Sequence, residues 1–469
     1  MTSLVSRPWL VSAVVKPLSK NSMSLALHLS SNLILNTQIF KMLHFLLALS
    51  SLPYILPMLV GCESINHHAI DLIPSSELHC KKWDSPLPSR LNVANPDYDV
   101  SPTIPQMEPF KNGFLKSNCS RNPLDIDPEP FCIFLNTKVN QGMGIVIISK
   151  KSVFEASLPK LDFSTELPVP STIKIVKMPE KGGAGAVASQ DLKRGQTVGK
   201  VRAVALFPHD QSLWGNEFGK RFYRQAIELL PHRTQDVIAS LHATGMEETK
   251  EEFIANALKQ NTFGTHLNPA SPIVYTALVL EPAVRFNHDC RPNVGYYIDH
   301  DTQSIHMTAF RQILAGEELT ISYRASELTR KMRQDSLSAN YGFQCSCSHC
   351  QMSSEEGKKS DGRVLRLLQL QNIHSTGVEW LSIEEVTELI KICERENLPY
   401  SMINANYIAA QVYNAHGRTQ EASDFAKKAK RDGLMYVGPM WKDLEEAQIL
   451  IDSPQKHNSY LNIIVDDEI

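Results

Sequence analysis

Between Met1 and Cys62 the chain contains no Asp or Glu, and from Met42 to Cys62 it has no Lys or Arg either. Acid-free sequence with basic residues only ahead of an apolar run is how a secretory signal is built. The stretch "KMLHFLLALSSLPYILPMLVGCES" fits that plan as a basic residue, an apolar core and a small-residue exit. The run is internal, so this reading starts translation at Met42. Two alternatives stay open. A membrane anchor is opposed by Pro53, Pro57 and a length at the short limit of about 18 to 20 residues. A transit peptide is opposed by the single Arg of this region, Arg7. An excess of positive charge is also missing. A net charge of -3 over 469 residues gives no electrostatic case for direct binding of nucleic acid, and no stable transmembrane anchor is expected.

Cysteine is absent between Cys132 and Cys290, which divides the residue type into two groups. Cys62, Cys80, Cys119 and Cys132 lie upstream. Cys290, Cys345, Cys347 and Cys350 lie downstream, and Cys393 stands alone. Two groups suggest two uses. On the secretory reading, Asn118-Cys119-Ser120 is a glycosylation sequon, and Cys119 pairs with Cys132 or Cys80. Without a signal the protein is nuclear or cytoplasmic.

What remains is ordinary for a soluble protein, with 42 % hydrophobic and 21 % charged residues, and it is long enough for two or three compact units. Residues 1–62 form the targeting-like segment. Residues 63–170 are loop-rich, as in "DSPLPSRLNVANPDYDVSPTIPQMEPF", with strand-like "FCIFLNTKV" and "GIVIIS" near the end. From 171 to 323 strand signals ("TIKIVKM", "QTVGKVRAVALF", "IVYTALVL", "ELTISY") surround a helical stretch from about 214 to 258. Beyond 360 the periodicity is helical. "MINANYIAAQVYNAHGRTQEASDFAKKAKRDG" matches one tetratricopeptide-like hairpin or a helical cap on the preceding domain. The expected class is α+β.

"YGFQCSCSHC" places Cys345, Cys347 and Cys350 in C-x-C-x2-C spacing. Zinc takes four soft ligands in a tetrahedron, so one is missing. His349 would face away from a knuckle made by Cys347 and Cys350. Cys290 is the better fourth ligand, because Cys393 sits in a helical run. The spacing favours zinc, and a disulfide within the cluster is the alternative for a secreted chain.

If Cys290 and the cluster share a metal, "RFNHDCRPNV" and "YGF" line one place. With "GGAGAVASQDLKRGQTV", "NTFGTH" and "GEELTISY" in this order, the chain resembles the SET-domain lysine methyltransferases, closest to the SMYD group and its fungal relatives, across about residues 171–352. The resemblance implies a β-rich SET domain with a helical insertion over 171–323, a zinc-binding post-SET segment over 324–352 and a helical region over 360–469. Three departures stand out. The cysteine-rich MYND finger is absent, Asp289 stands where Ser is usual, and Ala184 stands where an aromatic residue is frequent.

The resemblance implies S-adenosylmethionine and zinc as cofactors and a protein lysine, histone or non-histone, as substrate. Gly183, Ala184 and Gly185 would let backbone approach the cofactor, with Asn261, Asn287, His288, Tyr323 and Phe343 around it. The more modest reading of the glycines is a hairpin turn, and that of Asn261 a helix terminus. Tyr323 and then Tyr341 are the candidate catalytic residues, since a phenol orients an amine without competing as a nucleophile. Cys290, Cys345, Cys347 and Cys350 would hold zinc. Asp289 acquires no role. The alternatives are a catalytically silent SET module that binds protein, and a zinc-stabilised domain with a vestigial pocket.

Overall fold

The structure, a computed structural model, describes residues 105–462 except 169, 244–248, 269 and 377–380. The targeting-like segment and Cys80 lie outside these residues.

Strands β1 (Met107–Pro109), β2 (Leu115–Ser117), β3 (Phe131–Asn136) and β4 (Ile145–Lys150) lead into helix α1 (Lys151–Ser157). They are followed by β5 (Ile173–Met178), β6 (Gly183–Ala188) and β7 (Thr197–Pro208). The expected helical insertion is present as α2 (Glu217–Glu228), α3 (His232–Ala239) and α4 (Lys250–Asn261). Its boundaries are set locally. Asn216 caps α2 by accepting from Gly219 N, and Thr249 with Glu252 forms a reciprocal capping box on α4, each cap worth about 1 kcal/mol. Then come β8 (Thr262–Thr265), β9 (Tyr275–Val279), β10 (Asn287–His288), β11 (Val294–Asp299), β12 (Ser304–Ala309) and β13 (Glu318–Ile321).

The larger sheet runs β1-β2-β3-β4-β7-β12-β11, with β9 on β7 and β8 on β9. Strand β7 serves two sets of neighbours. Its first half pairs with β12, and its second half pairs with β9 and, in parallel, with β4. The strand-like segments of the loop-rich region are thus β3 and β4, and they belong to the same sheet as residues 197–309. Their continuous apolar runs are buried on both faces, as a strand covered on both sides requires. Phe134, Ile145 and Ile147 enter one core, while Ile133, Val146 and Ile148 enter the core under the helical insertion.

The smaller sheet, β10-β13-β6-β5, places the site. The β5–β6 hairpin turns at Gly182, whose φ of +83° suits glycine. Strand β13 lies antiparallel to β6, and β10 lies parallel to β13, with Asn287 opposite Thr320 and His288 opposite Ile321. Buried Asn293 completes the edge by donating to Glu318 O (2.7 Å) and accepting from Thr320 N (2.9 Å). Three sequence motifs far apart in the chain therefore meet as neighbouring strands.

After β13 the described chain is helical: α5 (Arg330–Tyr341), α6 (Ser354–Thr376), α7 (Ile383–Arg395), α8 (Pro399–Ala415), α9 (Thr419–Tyr436) and α10 (Leu444–Asp452). Ala405, Ala409, Ala410, Ala422, Ala426 and Ala429 are buried along α8 and α9, so the small side chains of the Ala-rich hairpin form its core. The hairpin also packs on the sheet. Phe310 shares a core with Ile403, Tyr407 and Tyr436, and the Tyr400 hydroxyl accepts from Tyr296 N (2.8 Å) and donates to Tyr296 O (2.9 Å). No described helix is long and apolar enough to cross a membrane.

Candidate active site

The glycine turn opens the site from one side. A Cβ on Gly183 would meet nothing within 4 Å, whereas one on Gly185 would fall 2.3 Å from Met178 Sδ and 2.7 Å from Asn287 Nδ2. A side chain at Gly185 would thus have to displace Met178 and Asn287, while Gly183 borders open space. Ala184 pairs with Lys177 across the hairpin. Asn287 donates to Glu318 Oε1 (3.0 Å), and Glu318 also pairs with Lys181 at the hairpin tip.

His288 is held on both nitrogens. Nδ1 accepts from Tyr323 N (2.9 Å), so Nε2 carries the proton and faces Cys290 Sγ at 3.4 Å. Burial pushes its pKa down to about 3, and the ring is neutral. Around it stand Tyr323 (ring centroids 5.3 Å apart) and Phe343 (6.1 Å). Tyr341 lies 4.9 Å from Tyr323 and 6.5 Å from Phe343, and the Arg324 guanidinium sits 5.1 Å from the Tyr341 ring. The Tyr323 hydroxyl donates to Phe286 O (2.8 Å). Burial, reinforced by Tyr341 and Glu318, raises its pKa, so the phenol stays protonated. With its hydrogen directed at a carbonyl, the phenol oxygen is left to accept.

Cys290, Cys345, Cys347 and Cys350 bring four sulfurs within 4.8 Å of one another. The separations from Cys290 are 3.5 Å to Cys350 and 3.9 Å to Cys345. A tetrahedron with metal–sulfur distances of about 2.3 Å has sulfurs about 3.8 Å apart, whereas a disulfide needs about 2.05 Å. The set fits zinc, and all four cysteines are free, so the disulfide alternative for the cluster is not the arrangement adopted. Hydrogen bonds from the Cys290, Cys345 and Cys350 thiols hold the Cys347 sulfur far below its usual pKa. Helix α5 supports the group. Gln334 exchanges two hydrogen bonds with the Cys345 backbone (2.7 and 2.8 Å). Arg333, 1 % exposed, has Nε and one terminal nitrogen without a hydrogen-bond partner among the described residues, a buried cation whose charge favours the thiolate form of Cys290.

Some residues fall elsewhere. Asn261 ends α4 and donates to Ala257 O and His242 O, both at 2.7 Å, the behaviour of a helix terminus. No described hydrogen bond or ring contact joins it to Gly183–Gly185, Asn287 or His288. His349 turns from the sulfurs towards Ser360 Oγ (3.3 Å) and Glu396 (3.8 Å). Cys393 is buried in the helical core.

Sequence reasoning missed two features. Asp289 caps the turn after the strand by accepting from Arg291 N (2.8 Å), an Asx turn signalled by Asp two residues before the donor. Burial is the main reason its carboxyl is pushed up to about 6. Arg291 donates to Cys290 O (2.8 Å) and Ser326 O (3.0 Å) and pairs with Glu396 (3.2 Å), at 8 % and 1 % side-chain exposure. Glu396 also receives Ser360 and Arg363, both at 2.6 Å. The helical region is tied in this way to the loop that carries Asn287, His288 and Cys290. No local pattern announces a pair 105 residues apart.

The family model for the SET domain matches residues 183–324. The histone-lysine N-methyltransferase set5 of Schizosaccharomyces pombe is 29 % identical over 180 residues, covering 37 % of this chain and 56 % of that protein. The histone-lysine N-methyltransferase Smyd1 of Mus musculus is 29 % identical over 180 residues, covering 32 % and 36 %. ATXR2 of Arabidopsis thaliana, also named a histone-lysine N-methyltransferase, is 46 % identical over 67 residues, 14 % of each chain. These matches span little more than half of the relatives' lengths at most. Residues 183–324 are a SET domain, and this part of the chain is similar to the SET-bearing histone-lysine methyltransferases named above.

Proposed function

We propose that the protein transfers methyl groups from S-adenosylmethionine to lysine side chains of a protein. The observation that carries this reading is the meeting of the glycine turn, Asn287-His288 and the strand ending at Tyr323 in one four-stranded sheet.

The residues fit the cofactor. Open space at Gly183 leaves the backbone approachable, the Asn287 amide and Glu318 offer polar partners for an amino-acid end, and Phe343 offers a face for adenine. The sulfonium, when bound, supplies a methyl group already activated for transfer, so the protein's task is positioning and desolvation. Tyr323, Tyr341 and Phe343 form an aromatic wall that excludes water. A lysine amine with a solution pKa of about 10.4 must be neutral to attack, and an apolar channel favours that form. The Tyr323 oxygen accepts from the amine and holds its lone pair in line. His288, with both nitrogens engaged, acts as a spacer between Tyr323 and Cys290 rather than as a base.

Cys290, Cys345, Cys347 and Cys350 would hold one structural zinc. The ion would fix the post-SET segment and with it the positions of Tyr341 and Phe343. A histone lysine peptide, suggested by the names of the relatives, serves as the first methyl acceptor for an assay in vitro. Calorimetric titration with S-adenosylmethionine tests the reading. Saturable binding that weakens in Asn287→Ala supports it, and no binding by the zinc-loaded wild type would reassign the domain as a protein-interaction module.

A further inference from the structure

We infer that Asn118 is a site of N-linked glycosylation and that the chain matures in an oxidising secretory compartment. Three observations converge, none of which depends on methyl transfer.

The first is the acceptor. Asn118-Cys119-Ser120 is the one N-x-S/T triplet in the sequence, and Asn118 and Ser120 are both exposed. The triplet follows β2 on a part of the sheet remote in sequence from the methyltransferase motifs, so a bulky oligosaccharide there extends into solvent.

The second is the pairing of its middle residue. Ser120 and Phe131 exchange both backbone hydrogen bonds (2.8 and 3.0 Å). In an antiparallel ladder the next pair along is the close, non-hydrogen-bonded kind, with Cα atoms about 4.5 Å apart. That pair is Cys119 and Cys132. Their Cα separation is 4.1 Å, and they are joined as a disulfide. Strand register therefore sets the two thiols face to face, where an oxidising compartment closes them and a reducing one leaves them open. Of the two partners considered for Cys119, Cys132 is the one bonded. The four sulfurs at Cys290, Cys345, Cys347 and Cys350 remain unbonded to one another, so the chain carries two cysteine chemistries on separate parts of the fold.

The third is the run from Met42 to Cys62, apolar and without Lys, Arg, Asp or Glu, the composition that a secretory core requires.

In the modification the Asn118 amide nitrogen bonds to C1 of an oligosaccharide carried on a polyprenyl diphosphate. The C1–oxygen bond breaks, the diphosphate leaves, and the amide gives up one proton.

The test uses the chain begun at Met42 and made in a eukaryotic host. Protein is alkylated without reductant, digested, and treated or not with a peptide-N-glycosidase, and the peptides are weighed for wild type, Asn118→Gln, Ser120→Ala and Ser120→Thr. Wild type and Ser120→Thr, which keeps the triplet, should carry a glycan that the enzyme removes to leave Asp at 118. Asn118→Gln and Ser120→Ala should carry none. Cys119 and Cys132 should escape alkylation in wild type. The readout is on peptides, so a misfolded variant still reports. Bare Asn118 in wild type, a glycan that persists in Asn118→Gln, or alkylated Cys119 and Cys132 would each overturn the inference.

Discussion

The backbone amide of Tyr323 donates to Nδ1 of His288 at 2.9 Å, and Nε2 of the same ring directs its proton at Cys290 Sγ. One imidazole thus links the end of β13 to the cysteine cluster, which ties the position of the Tyr323 ring to the arrangement of those four sulfurs. His288→Ala removes the acceptor and leaves a half-buried amide unpaired. Denaturant unfolding should show a loss of about 1 to 3 kcal/mol. A midpoint equal to that of wild type would mean that this bond is not made.

The cysteine set should hold one zinc per chain, with Cys290 as the fourth ligand. Because metal binding is coupled to folding, Cys290→Ser should lower metal content and stability together. Elemental analysis giving one zinc per chain in both proteins would remove Cys290 from the site.

Gly183 borders open space, whereas Gly185 is packed against Met178 and Asn287. Gly183→Ala should leave the unfolding midpoint unchanged while weakening S-adenosylmethionine, because the added methyl would enter the space in which the proposed function seats the cofactor. Unchanged affinity by calorimetry would place the cofactor elsewhere. Gly185→Ala should lower both affinity and stability, by about 1 to 3 kcal/mol for the overpacking.

The contrast between these glycines marks how far the sequence could be read. The G-x-G spacing announces a turn but not which glycine faces a ligand, since that depends on Met178 and on Asn287, 102 positions beyond Gly185 and on another strand. Cys290 was legible because the three clustered thiolates needed one more soft ligand and few remained. Strands β3 and β4 were legible as strands from their apolar runs, but their membership of the larger sheet rests on a parallel pairing of Val146 with Ala205 that no local signal encodes. Asn261 matches a motif, yet its amide nitrogen is occupied by one helix carbonyl, Ala257 O, and one loop carbonyl, His242 O. Arg291 and Glu396 were invisible for the reason common to long-range ion pairs. Each looks locally like a solvated charge.

The Arg291–Glu396 pair should also show in the response to acid. Burial alone would raise the Glu396 carboxyl, but hydrogen bonds from Ser360 and Arg363 and the charges of Arg363 and Arg291 outweigh it and hold its pKa below the usual value. A depressed folded pKa gives stability that is present above the unfolded value of about 4.3 and lost as pH falls through the folded value. Glu396→Ala strands a buried arginine and should cost about 3 to 5 kcal/mol at pH 7. Its stability should then fall less steeply than that of wild type below about pH 4.3. Parallel acid limbs in the two proteins would show that Glu396 does not carry this dependence.

The most direct test is methyl transfer itself, with zinc-loaded wild type and Tyr323→Phe supplied with methyl-labelled S-adenosylmethionine and lysine-bearing protein, the products read by mass. Wild type should add methyl groups to lysine. Tyr323→Phe loses only the bond to Phe286 O, so it should stay within about 1.5 kcal/mol of wild-type stability and keep its cofactor affinity, yet transfer far more slowly or add a different number of methyls. Equal rate and product from the two proteins would make Tyr323 a packing residue. A wild type that binds S-adenosylmethionine but methylates no lysine on any protein offered would contradict the account as a whole.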